Sequence, residues 1–177
     1  MAFPAGTPGI VPLAEAKAHL RIETDAEDAL LAGLLRSAEA MIEAWVGQLL
    51  VRRERVDDGV GQEGVFRLSC GPVERVLSVA VADEAGDYAE LSPDGWTLEL
   101  LPGGRARIFL HRAGSVRVRV TYRAGLADHW NDVPEPLRQA VVRTAAHGFT
   151  HRDSPDDQGV PPVVRQMVSA WRNLRLA

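Results

Sequence analysis

One cysteine, Cys70, and one lysine, Lys17, stand among the 177 residues of this chain. A single cysteine excludes an internal disulfide and is compatible with a reducing compartment. No run of about 18 apolar residues occurs, so no helical membrane span is expected. Residues 1–12 lack the basic start and apolar core of a signal peptide. No serine sits in a Gly-x-Ser-x-Gly elbow. Gly103-Gly104-Arg105 lacks the further glycines and the lysine of a phosphate loop, and reads as a hairpin turn. Cys70, between Ser69 and Gly71, has no helix N-terminus to activate its thiol.

What is present is ordinary in bulk and uneven in detail. Hydrophobic residues make up 46% and charged residues 25%, enough for one self-sufficient domain, with or without an insertion. The net charge of −4 argues against a freely diffusing nucleic-acid binder. Yet the stretch from Arg105 to Arg123 holds six arginines and no acid. Arginine suits planar, multi-donor contacts at protein interfaces and at phosphate alike, although genomic base composition produces the same bias.

Periodicity divides the chain into helices, then strands, then helices. Residues 1–11 hold two prolines and two glycines and read as an extended arm. Pro12 can open a short helix over 13–20. Thr24 and Glu27 make a capping-box pair, with Asp25 and Asp28 adding charge suited to a helix start. The helix that follows carries Leu30, Leu34, Ala38, Met41 and Trp45, widened by Leu31, Leu35 and Ile42, and stops at Gly47. Strands are predicted over 49–56, 65–69, 73–81, 96–100, 106–111 and 116–122, separated by glycine-containing turns that include 57–64. Val116, Val118 and Val120 alternate with Arg117, Arg119 and Thr121, which places charge on one sheet face. Helical spacing returns with Leu137, Val141, Ala145 and Phe149. After a polar loop over 152–160, Pro161-Pro162 opens a last helix with Val164, Met167, Val168, Trp171 and Leu174 on one side. The expected fold is α+β: a core of about four helices, interrupted by an antiparallel sheet or small barrel. The expected segments are 1–48, 49–123 and 124–177.

Candidate chemistry is sparse. His147 and His151 share a helix face at i and i+4, but no Glu follows His147, and a zinc site would need a third ligand such as Asp153. Asp153, Asp156 and Asp157 do not follow the calcium-loop spacing and read as a solvated loop, as Asp57-Asp58 reads as a turn. Arg105, Arg107, Arg117, Arg119 and Arg123 could meet a neighbouring subunit or DNA phosphates, though few aromatics are interleaved for base stacking. Trp130, read as lying in a loop, and Trp171 are candidate partner anchors, whereas Trp45 fits core packing.

Two stretches together resemble a known family. The first is Pro12-Leu-Ala-Glu-Ala-Lys-Ala-His-Leu-Arg-Ile22, followed by Thr24-Asp-Ala-Glu-Asp28 and Leu30-Leu-Ala-Gly-Leu-Leu-Arg-Ser-Ala38. The second runs from Tyr122-Arg-Ala-Gly125 through Val133-Pro-Glu-Pro-Leu-Arg-Gln-Ala140 and Ala146-His-Gly-Phe-Thr-His-Arg152 to Pro161-Pro-Val-Val164 and Trp171-Arg172. Their order and spacing resemble the head–tail connector (adaptor) family of tailed bacteriophages, prophages and gene transfer agents. Phe149 and Leu126 stand where, or near where, family members usually carry tyrosine. The resemblance implies a non-catalytic subunit without cofactor or metal. It implies a homo-oligomeric ring, usually of twelve, docked beneath the capsid portal and extending the DNA channel. DNA would pass through the lumen without sequence-specific binding. A tail-side stopper or tail-terminator protein would be the further partner, and no membrane would be involved. The location implied is the head–tail junction of a virion or phage-like particle, after a bacterial cytoplasmic stage. The C-terminal segment is the implied portal contact: Pro161, Pro162, Arg165, Met167, Trp171, Arg172, Leu174 and Arg175.

Three functions follow from these readings: the connector ring, a small nucleic-acid-binding module using the Arg105–Arg123 face, and a metal-dependent enzyme around His147 and His151.

Overall fold

The computed structural model describes residues 11–112, 114–151 and 159–172. Contacts divide the chain into two units: Met1–Val46 together with Trp130–Ala177, and Gly47–His129.

The first unit is helical. Helix α1 (Leu13–Leu20) starts after Pro12, whose extended backbone suits the position before a first turn, and ends at Arg21 in the left-handed conformation. Lys17 reaches forward from α1 to Asp25 at 2.6 Å and Asp28 at 2.8 Å, tying the helix to the turn that follows. These two carboxylates raise the Lys17 pKa above its ordinary value. Helix α2 (Asp28–Val46) begins four residues after Thr24, so the expected capping box does not form; Asp28 supplies the first-turn acid instead. The helix stops where predicted, before Gly47 at φ 71°.

The buried residues of α2 are Leu31, Leu35, Ala38, Glu39, Ile42, Glu43 and Val46. The predicted stripe is therefore rotated: Leu30 and Met41 are exposed, and Leu34 and Trp45 are half-buried. Glu39 and Glu43, which the apolar stripe did not include, are on the covered side. Helix α3 (Glu135–Thr150) packs along α2 through Leu137, Val141 and Ala145; at Gly148 a Cβ would stand 3.3 Å from Leu34. Helix α4 (Pro162–Met167) and a 3-10 turn (Ser169–Trp171) fold back on α3, burying Val164 and Val168.

The second unit is built from strands β1 (Arg53–Gly61), β2 (Val65–Arg67), β3 (Val73–Ala82), β4 (Tyr88–Glu90), β5 (Trp96–Leu100), β6 (Ala106–Leu110) and β7 (Val116–Ala124). They form two antiparallel sheets, ordered β1-β7-β3-β4 and β2-β6-β5. Val79, Val81, Ile108, Val118, Val120 and Tyr122 belong to one core shared by both sheets. Its alternation in β7 is the one that the valine–arginine pattern predicts.

Strand β1 runs through the predicted 57–64 turn. Asp57, Asp58 and Gly59 sit in register with Val120, Arg119 and Val118 of β7. The turn is confined to the residues around Gly64, where φ is 77°. Residues 49–52, read as strand, instead form a stem. Arg52 donates its N–H to Ala127, Leu126 donates to Leu49, and Ala127 donates to Leu50. Gly125 makes this closeness possible, because a Cβ there would lie 2.5 Å from the Arg52 nitrogen.

Candidate functional site

No group of three or more His, Cys, Asp or Glu side chains among the described residues is placed to hold a metal ion. His147 and His151 stack ring on ring at 4.3 Å, and His151 Nδ1 lies 2.8 Å from Thr150 Oγ1 and 3.1 Å from the His147 carbonyl. Asp153, the suggested third ligand, lies outside the described residues, as do Asp156 and Asp157. No helix of the described residues is long and apolar enough to cross a membrane.

The outward face of the β1-β7-β3-β4 sheet holds half of the arginine run, Arg117, Arg119 and Arg123. Antiparallel register sets Asp58 opposite Arg119, and the carboxylate accepts from Arg119 Nε at 3.1 Å and Nη2 at 2.9 Å. Arg117 approaches the same carboxylate at 3.5 Å. Tyr88, from β4, donates its hydroxyl to Asp58 at 2.8 Å, and the Arg119 guanidinium carbon lies over its ring, 3.9 Å from the centroid. The Tyr88 hydroxyl and then Arg119 hold the Asp58 carboxyl below the usual carboxylate range. Arg123 is paired with Glu74 and Asp128, and Arg107 with Glu99. Arg105 is exposed at the turn before β6. A guanidinium already bound to a carboxylate offers less to phosphate, so this face is a charge-balanced lattice with Val56, Val60 and Leu77 exposed on the same unit.

The inward side of the same strand pair carries a residue that sequence reasoning missed. Asp57 is buried, and its carboxylate accepts from Ser69 N–H at 2.6 Å, Ser69 Oγ at 2.7 Å and the Tyr122 hydroxyl at 2.9 Å. Tyr122 Oη in turn accepts the Cys70 N–H at 3.2 Å. Burial, and then the negative charge of Asp57, push the Tyr122 pKa well above its ordinary value. This network fastens the 69–70 segment to β1 and β7. The only sequence signal was that Asp57 falls on the inward parity of a strand if the strand continues past Val56.

The C-terminal candidates fall on the helical unit. Arg165 and Arg172 lie over the Trp45 ring at 5.0 Å and 4.7 Å, and Arg165 Nε donates to the Val160 carbonyl at 2.7 Å. Each cation–π contact of this kind contributes about 0.5–1 kcal/mol at an exposed site. Pro161, Met167 and Trp171 are half-buried and Pro162 is exposed. Leu174 and Arg175 lie outside the described residues. Residues 160–172 are thus fastened to their own subunit. Trp130 is not a surface anchor: it is buried, and its indole N–H donates to Glu15 at 2.8 Å, joining α1 to the turn before α3.

With that geometry in view, the similarities are specific. Residues 11–92 match the family described as Phage gp6-like head-tail connector protein. No curated protein gives a significant match. Among solved structures, a chain of the virion of a native gene transfer agent (GTA) particle is 29% identical, with a TM-score of 0.79; 99% of this chain and 96% of that one are covered. A chain of the neck of an empty GTA particle computed with C6 symmetry is 28% identical, TM-score 0.77, over 98% and 95%. A chain of the neck of a native GTA particle computed with C12 symmetry is 27% identical, TM-score 0.75, over 100% and 98%.

Proposed function

We propose that this chain, which matches the head–tail connector family over residues 11–92 and is alike over its whole length to chains of particle necks, is a structural connector subunit that works in a ring at the head–tail junction. The observation that carries the reading is end-to-end overlap: both units and the segments joining them have counterparts in neck chains covered to 95–98%. A role built on contact fits a molecule whose polar residues are spent on holding its own strands and helices. Twelve copies is the number that the C12 neck suggests. The portal on the head side and a stopper or terminator on the tail side are the partners that this position calls for. DNA would pass through the ring without being read.

The nucleic-acid-module reading is less well supported, because Arg107, Arg117, Arg119 and Arg123 already hold carboxylates. The test is assembly: heads with an exposed portal, mixed with the purified chain, are imaged by negative stain. A ring of copies on the portal is the expected result. A chain that stays monomeric beside portal-bearing heads at high concentration overturns the proposal.

A further inference from the structure

Two arginines of the helical unit differ from those of the sheet. Arg165 and Arg172 are exposed and lie over one indole ring, that of half-buried Trp45 near the end of α2. No ion pair among the described residues includes either of them. The ring and the Val160 carbonyl hold the side chains in place, which leaves the outer N–H groups of both guanidinia for a carboxylate. Of the acids at this end, Glu43 is covered, Glu15 is held by Trp130 and Glu135 by Arg138, so exposed Asp132 stands against two cations. Arg36 is on the side of the helix opposite Trp45, at about 100° per residue, and takes no part. The other end of α2 is acidic. The turn into it holds Glu23, Asp25, Glu27 and Asp28, with Asp25 89% exposed. Lys17 and Arg21 are the cations beside them, so four carboxylates against two cations leave the turn two charges negative. From Asp28 to Trp45 the helix rises about 26 Å.

We infer that the patch formed by Arg165, Trp45 and Arg172 is the docking site for the acidic 23–28 turn of a neighbouring copy in the ring. The inference rests on the ring reading of the preceding subsection and adds the two surfaces through which copies meet. Complementary charge selects a second copy as the occupant, because every chain carries both the cations and the carboxylates that answer them. An arginine already stacked on an aromatic ring loses little side-chain freedom when a carboxylate arrives, and its fork can grip both oxygens. The placement of the patches then favours growth. One contact leaves a basic patch unused on one copy and an acidic turn unused on the other. Further copies add head to tail until the ring closes, which is the heterologous contact that a ring requires.

The test uses the full chain and portal-bearing heads. Arg165→Glu/Arg172→Glu reverses the basic patch, Glu23→Lys/Asp25→Lys reverses the turn, and a third variant carries all four changes. Circular dichroism first establishes that each variant is folded. Expected is a loss of rings on the portal of about tenfold or more for either reversed pair at equal concentration, with recovery in the variant that carries all four. A patch that meets the portal or DNA instead gives no recovery, because reversing the turn restores neither contact. Loss without recovery, or variants that all assemble like the parent, overturns the docking and leaves the ring reading standing. If the parent itself makes no ring, the ring reading falls and the docking with it. A cross-link tests the same contact without reversing charge. Arg172→Cys/Asp25→Cys in a Cys70→Ser background, assembled on heads and treated with a short bismaleimide, should give a ladder of covalent oligomers. Assembled rings that give no ladder, or a ladder that stops at two copies as an antiparallel pair would, overturn the inference.

Discussion

Asp57 and Asp58 are adjacent, chemically identical and on opposite faces of β1, which makes them a matched pair for measuring burial. Asp57→Ala removes one carboxylate that accepts from the Ser69 N–H and Oγ and from the Tyr122 hydroxyl. A buried donor left without its acceptor costs about 1–3 kcal/mol, so two or three of them amount to roughly 3–6 kcal/mol after partial relaxation. Asp58→Ala removes solvent-facing contacts to Arg117, Arg119 and Tyr88, for which about 0.2–1 kcal/mol is typical. At roughly 2–4 °C per kcal/mol for a chain of this length, the first variant should melt on the order of 10 °C or more below the parent. The second should stay within about 3 °C. Differential scanning calorimetry reads both. Equal losses for the two variants, or a loss for Asp57→Ala of less than about 1 kcal/mol, would refute the claim that the Asp57 network holds the 69–70 segment in place.

The C-terminal segment and the pH dependence supply two more tests. Removing 161–177 takes away Val164 and Val168, each fully buried and contributing about 1.5–3 kcal/mol, so the shortened chain should lose much of its helical stability in a urea titration. A harmless 161–177 deletion would contradict the burial of Val164 and Val168. The depressed pKa of Asp58 means that its contribution is present above the unfolded value of about 3.9 and is lost as pH falls through the lower folded value. For Tyr122 the raised pKa works at the other end. Its contribution is whole below about pH 10 and is lost as pH rises towards the folded value. Parent Tm should therefore decline at both extremes. Asp58→Asn should flatten the acid limb and Tyr122→Phe the alkaline one; unchanged limbs would remove these residues from the account.

Local patterns foretold the order of helices, strands and helices but not the short strand β4, and long-range pairing decided the rest. Alternation in β7 and the apolar runs of α3 were legible because each is set by the chain's own period against a core. Strand β1 was cut short because Asp-Asp-Gly favours a turn locally, whereas nine residues of register with β7 outweigh that preference. The α2 stripe was found but turned by about one position, since nothing local says that Glu39 and Glu43 are covered. Trp130 appeared to be a loop anchor because its partner, Glu15, is more than a hundred residues away. The arginines were visible as a basic run; their neutralisation by Asp58, Glu74, Glu99 and Asp128 depends on which strands and turns become neighbours.

The stem that joins residues 49–52 to 126–127 has a consequence for the order in which the molecule forms. Helices α2 and α3 are separated by 88 residues of chain, from Gly47 to Pro134, and an open loop of that length slows their meeting. Once the β unit has closed on its own root, the hydrogen bonds at Arg52, Leu126 and Ala127 bring the two ends of the loop side by side, and the helices meet across a short gap. The strands are therefore expected to mature before the helical unit. A subunit caught early would hold a finished β unit while α2 and α3 were still unpaired. The packing of α2 against α3 would then be the last step of folding, and the one most exposed to a truncation of either end of the chain.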